Sequence, residues 1–143
     1  MTGARIALAA AADLAAVQAI DPLVDGTAGR GEFLARAVAA GQCWLARKGG
    51  EIAGFAVFDR SLYDQPFVAL LYVVPSRRRS GVATALMSHI ESICTGGKLF
   101  TSTNASNLPM QRLAERLGFV RSGWIENLDE GDPEIIYFKA LPV

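Results

Sequence analysis

The segment Leu70-Leu71-Tyr72-Val73-Val74-Pro75 runs almost directly into Arg77-Arg78-Arg79-Ser80-Gly81-Val82-Ala83-Thr84, and this junction constrains the chain more than any other stretch. Its first part is apolar and β-branched, the composition of a strand, and it stops at a proline, which has no N–H for a sheet ladder. Its second part is a basic turn that opens an amphipathic helix, with Val82, Ala85, Leu86, Ile90 and Ile93 as the expected buried stripe. A strand that feeds a helix in this way sets the helix's unpaired N–H groups and positive dipole end beside three arginines. That combination is an anion site, and Gly81 lets a diphosphate approach the backbone without meeting a Cβ. Two other phosphate loops do not fit. A P-loop needs Gly-x-x-x-x-Gly-Lys-(Ser/Thr) and a dinucleotide turn needs three glycines in six residues, whereas this turn has one glycine and no lysine.

The bulk numbers narrow the class. A length of 143 residues fits one domain, residues 1–143, with a proper core. Fourteen basic and fourteen acidic residues cancel, so whole-chain charge gives no reason to expect nucleic acid or an anionic membrane as partner. Cys43 and Cys94 have no metal-ligand spacing and read as small buried apolar residues, so no metal is expected. With no apolar run of membrane-spanning length and no cleavable leader, the expected location is cytoplasmic.

Along the chain, strands are expected at 5–8, 43–47, 51–59, 67–74, 98–103, 119–125 and 135–139. Helices are expected from Asp13 to Ile20, around Phe33–Val38, from Gly81 to about Cys94, and over 108–117. Gly49-Gly50 marks a hairpin and Gly118 a helix end. The run Phe67–Val74 is the longest unbroken apolar stretch, the pattern of a strand covered on both faces. The class is mixed α/β.

Arg78-x-x-Gly81-x-Ala83 resembles the acyl-CoA signature of the GNAT acetyltransferases, (Gln/Arg)-x-x-Gly-x-(Gly/Ala), and Leu-Tyr-Val-x-Pro ahead of it resembles the strand that precedes that signature. The segment Ser106-Asn107 and the later Leu117-Gly118-Phe119 resemble two further family motifs at matching spacing. The element order β-α-α-β-β-β-α-β-α-β-β is also that of the GNAT fold, so the resemblance spans the chain. It implies a central, mostly antiparallel mixed sheet flanked by helices, with acetyl-CoA as co-substrate and direct acetyl transfer to an amine. It places the diphosphate on the backbone of Arg79, Ser80, Gly81, Val82, Ala83 and Thr84, with Arg78 and Arg79 as nearby cations. It sets the pantetheine arm along the backbone of Leu71 and Val73, with a Val73 N–H aimed at the thioester oxygen, and Asn107 against the same arm. A homodimer is a common family state.

The chain departs from the family where many members carry a tyrosine as general acid: Ala114 stands there. Tyr72 and Tyr137 are the alternatives. An alkylamine of pKa near 10 must lose a proton before attack. The loop 126–134 holds five carboxylates in nine residues, from which Glu130 and Asp132 are taken as candidate bases, with Asp64 behind them. His89, the only histidine, reads as a packed residue. The expected acceptor is a small-molecule amine. The rival readings are an acyl-CoA sensor without turnover, and transfer to a protein lysine or N-terminus.

Overall fold

The computed structural model describes residues 3–143. Its principal elements are β1 (Arg5–Leu8), α1 (Leu14–Ile20), α2 (Arg30–Ala39), β2 (Cys43–Lys48), β3 (Glu51–Leu62), β4 (Gln65–Val73), α3 (Val82–Ile93), β5 (Lys98–Asn104), α4 (Leu108–Arg116), β6 (Val120–Ile125) and β7 (Glu134–Ala140). This is the order expected from the sequence. The strands form one seven-stranded sheet in the order β1-β2-β3-β4-β5-β7-β6. β1 with β2, β2 with β3, β5 with β7 and β6 with β7 pair antiparallel, and β4 pairs parallel with β5.

The chain divides into two compact units. The first comprises the residues up to Phe58 together with Leu70–Ser92, and the second comprises Asp59–Ala69 with Ile93–Val143.

In the first unit, β1 pairs with β2 from Arg5↔Arg47 to Leu8↔Trp44, and β2 pairs with β3. Gly49 and Gly50 make the hairpin turn at φ +62° and +83°, a conformation that favours glycine. Val17, Leu34, Leu45, Phe55, Val57, Val82, Leu86, Met87 and Ile90 are buried and form its core. Two contacts of α3 differ from the sequence pattern. Met87 joins the buried stripe, while Ile93, the last residue of α3, is 40% exposed.

In the second unit, β5 pairs with β7 from Lys98↔Ala140 to Asn104↔Glu134, and β6 pairs with β7 across a bulge between Arg121 and Gly123. The two faces of these strands differ. Leu99, Thr101, Thr103, Ile135 and Tyr137 are buried on one face. Phe100, Ser102, Ile136 and Phe138 are half-buried on the other. Lys139 lies on the first of these faces, and its Nζ donates to the Leu117 carbonyl at 2.7 Å, tying the end of α4 to it. Along α4 the buried residues are Ala114 and Gln111. Gln111 was not expected inside, and it is accommodated because it donates to the carbonyls of Asn104 and Ala105 and accepts from Arg121.

Two strand boundaries move. β3 runs on to Leu62 and β4 begins at Gln65, joined by Tyr63 and Asp64 at φ +50° and +60°. The sequence hides this tight turn because neither residue is glycine. β4 is also not covered on both faces as expected: only Pro66 and Val68 are buried, and Ala69–Val73 are half-buried. Its ladder with β5 consists of Phe67↔Phe100 and Val68↔Thr101, and the strand continues five residues past the second pair.

Candidate functional site

β4 leads through Pro75–Arg77, a single 3-10 turn, into the start of α3. The turn is closed by Arg77 N–H on the Val74 carbonyl at 2.9 Å and Arg78 N–H on Pro75 at 3.3 Å. Arg79 then adopts φ +61° and Gly81 φ +85°. Left-handed backbone costs a non-glycine residue roughly 1 kcal/mol, and strain of this kind collects at ligand clamps. The Ser80 hydroxyl donates to the Arg77 carbonyl and braces the loop. Ala85 N–H bonds to the Gly81 carbonyl at 2.9 Å, which makes Gly81 the residue that opens α3. The N–H groups of Val82, Ala83 and Thr84 therefore have no intrahelical acceptor. Arg78, Arg79 and Thr84 are exposed, Ser80, Gly81 and Ala83 half-buried, and Val82 buried. Val82 offers only its backbone, since its side chain is core.

The edge of β4 is defined by alternation. Val74 N–H donates to Ala53 on β3 at 2.8 Å, so it points towards β3. Successive peptide groups of a strand point to opposite edges, and the N–H groups of Leu71 and Val73 accordingly face away from β3. The Val73 carbonyl lies on that same edge and accepts from Arg78 Nε at 3.0 Å. The Arg78 guanidinium also stands 5.6 Å from the centre of the Tyr72 ring, so one arginine spans strand and turn. On the β3 side, Gly54 lies so close that a Cβ there would meet the Tyr72 carbonyl oxygen at 2.6 Å and Val82 Cγ1 at 3.3 Å. Gly54 is a site residue that the motifs do not mark, although an isolated glycine inside a strand pattern signals a close backbone approach.

In the second unit, Asn107 is exposed and its Oδ1 accepts from Met110 N–H at 3.2 Å, capping α4. Asp132 accepts from both the N–H and the hydroxyl of Ser106, at 2.9 and 2.6 Å, and Asp129 accepts from the Asn104 amide at 2.8 Å. Ala105 N–H reaches the Pro133 carbonyl at 2.8 Å. The acidic loop is thus fastened to the 104–106 segment that leads into α4. Glu130 is exposed. Glu134 accepts from Ser102 Oγ at 2.7 Å.

The remaining candidates have structural surroundings. Ala114 is buried, and Tyr72 is half-buried. Tyr137 is fully buried with its hydroxyl unbonded. His89 packs against Trp44 with ring centres 4.4 Å apart and planes tilted by 54°, its Nε2 buried without a hydrogen-bond partner. Asp64 is bound by Arg60 at 3.2 Å in the β3–β4 turn. Burial, with the Asp13 charge as a second cause, pushes the Cys43 thiol up to about 11. Asp13 itself is held below its ordinary value by the Ala10 N–H and by Arg47. Among the described residues no three His, Cys, Asp or Glu side chains come together as a metal site, and no helix is long and apolar enough to cross a membrane.

Over 66 residues, 46% of its length, the chain is 35% identical to the human cysteine-rich protein 2-binding protein, and the match spans only 8% of that protein's length. A Bacillus cereus acetyltransferase of the GNAT family is 36% identical, with 98% of this chain and 99% of that one aligned at a TM-score of 0.88. The Salmonella typhimurium protein yncA, solved with its cofactor acetyl-CoA, shares the fold at 19% identity and a TM-score of 0.77, with 98% and 95% of the two chains aligned. The family model described as acetyltransferase (GNAT) family matches residues 13–119, three quarters of the chain. With the fold order, the arginine turn and this match in agreement, the chain belongs to the GNAT acetyltransferase family.

Proposed function

We propose that residues 1–143 act as one acetyl-CoA-dependent N-acetyltransferase domain that modifies the primary amine of a small molecule by direct attack. The observation that carries this reading is the junction of β4 with α3. The outer edge of β4 carries the Leu71 and Val73 N–H groups, and it passes straight into an arginine turn with two left-handed residues and an open helix start.

The residues fit the co-substrate. The N–H groups from Arg79 to Thr84 bind the diphosphate, with Arg78 and Arg79 supplying cations and the Thr84 hydroxyl a further donor. Leu71 and Val73 pair with the pantetheine arm as a sheet edge pairs with a strand. Bound acetyl-CoA supplies a thioester whose C–S bond breaks as the amine nitrogen forms the amide, the thiol leaving. The Val73 N–H, fixed by the strand, stabilises charge on the acetyl oxygen, a contribution often worth several kcal/mol. Asn107 holds the arm while capping α4. The acidic loop draws the cationic amine, with Glu130 as the exposed carboxylate able to take its proton. Asp132 serves the same loop by anchoring Ser106.

The test is incubation with isotope-labelled acetyl-CoA and an extract of cellular amines, followed by mass spectrometry. A labelled small amine supports the reading. Label found only on protein transfers the proposal to a macromolecular acceptor, and acetyl-CoA binding without any labelled product makes the chain a sensor. Gly81→Val must abolish acetyl-CoA binding; retained binding overturns the site.

A further inference from the structure

Tyr72 stands between Leu71 and Val73, the two residues whose N–H groups face the outer edge of β4. Its own N–H turns the other way, towards β3, and its ring stands off the sheet. Two neighbours in β3 set where it stands. Gly54 lets the Tyr72 carbonyl approach closer than a Cβ would allow. The next residue, Phe55, meets the Tyr72 ring with centres 5.9 Å apart and planes tilted by 46°. Phe55 is fully buried, so the half-buried Tyr72 ring rests on packed core.

Arg78 returns to this ring from six residues further along the chain. The 3-10 turn Pro75–Arg77 intervenes, and Arg78 then has extended backbone, with φ −69° and ψ 153°. Its Nε donates to the Val73 carbonyl at 3.0 Å. Its Cζ stands 5.6 Å from the Tyr72 ring centre, within the range of a cation–π contact. The Nη groups keep their donors, and none of the ion pairs among the described residues involves Arg78. An exposed arginine ordinarily samples many rotamers, and it loses that freedom when it grips an anion. A ring and a carbonyl that hold the guanidinium beforehand reduce the loss.

We infer that Tyr72 is a positioning residue: its ring, propped by Phe55, holds the Arg78 guanidinium at the β4–α3 junction ready for the acetyl-CoA diphosphate. The face of the ring acts here, and the hydroxyl does not. This inference rests on the acetyl-CoA reading of the junction, to which it adds a residue that works through Arg78.

Calorimetric titration of the intact protein with acetyl-CoA tests it in the wild type, Tyr72→Phe, Tyr72→Leu, Arg78→Ala and the Tyr72→Leu, Arg78→Ala double variant. Denaturant unfolding checks that each is folded. Tyr72→Phe keeps the ring and should bind as the wild type does. Tyr72→Leu should bind about three- to fivefold more weakly, the worth of an exposed cation–π contact. With Arg78→Ala already in place, Tyr72→Leu should change the Kd by less than about twofold, because the ring has no cation left to hold. A merely structural role would give the same loss in both backgrounds. Should Tyr72→Leu fail to fold, Tyr72→pentafluorophenylalanine keeps the ring's shape and reverses its charge distribution, and a loss of the same size is expected. Weak binding by Tyr72→Phe, normal binding by the leucine or fluorinated variant, or an equal loss with and without Arg78 overturns the proposal. The Proposed function survives each of those results as long as the wild type binds acetyl-CoA; a folded wild type that does not bind it overturns both.

Discussion

A Cβ placed on Gly54 would stand 2.6 Å from the carbonyl oxygen of Tyr72, closer than real Cβ atoms come to backbone. The same added atom would lie 3.2 Å from Val73 Cα, so the close approach of β3 sets the position of the strand proposed to line the acetyl-CoA site. Gly54→Ala is therefore expected to cost about 1–3 kcal/mol of stability through overpacking against atoms that cannot swing aside. It should also weaken acetyl-CoA binding by more than the stability loss explains, because β4 shifts. Denaturant unfolding and calorimetric titration of the same sample check both halves.

Arg78 divides its side chain between Val73 and Tyr72, and its charge stands beside the open start of α3. Arg78→Ala should raise the Kd for acetyl-CoA tenfold or more, the scale of one charge-assisted contact. Arg78→Lys keeps the charge but loses the planar fork, and an intermediate, several-fold loss is expected. Added salt should weaken binding less in the alanine variant than in the wild type. Titrations at two ionic strengths measure all three effects.

Asp132 and Glu130 stand two residues apart and differ in what they hold. Asp132 accepts two hydrogen bonds from Ser106, so Asp132→Ala should cost about 1 kcal/mol and loosen the 104–107 segment. Glu130→Gln on the exposed loop should change stability by no more than about 0.5 kcal/mol. Equal stability losses in chemical unfolding would contradict the assigned anchoring role of Asp132.

The buried Cys43 thiol is raised from an ordinary 9.0 to about 11, chiefly by burial, while Cys94 is half-buried. The folded state thus keeps the Cys43 proton more tightly than the unfolded state. The resulting stability is complete below pH 9 and is lost as pH rises from 9 towards 11. Iodoacetamide at pH 8 should alkylate Cys94 first and reach Cys43 only at the rate of unfolding. Cys43→Ala should flatten the fall in stability across the same alkaline window. Peptide mapping of the alkylated protein and unfolding curves at stepped pH provide the readings.

The element order was legible because each element carries its own period and its own stop, such as Gly49-Gly50, Gly96-Gly97 and Gly118. The arginine turn was legible because strand, glycine and helix follow one another without a gap. What escaped depends on partners distant in sequence. The Tyr63-Asp64 turn has no glycine to announce it. Gln111 looks like a surface residue until Asn104, Ala105 and Arg121 supply its bonds. Apolar composition alone read Ala69–Val73 as buried on both faces, since composition does not reveal where a strand's neighbour stops pairing. The Ser102–Glu134 contact joins residues 32 positions apart, and no local pattern encodes it.

The two units interleave along the chain, and this dictates the order in which a ribosome can complete them. Phe58 and Asp59 fall in different units although both lie in β3, and Ala69 and Leu70 do so within β4. The first unit lacks its last residues until Ser92 has been synthesised, and by then Asp59–Ala69 of the second have already been made. No single cut in the chain releases either one whole. Until β4 is made, one edge of β3 has no strand to pair with, an unpaired edge of the kind that invites aggregation.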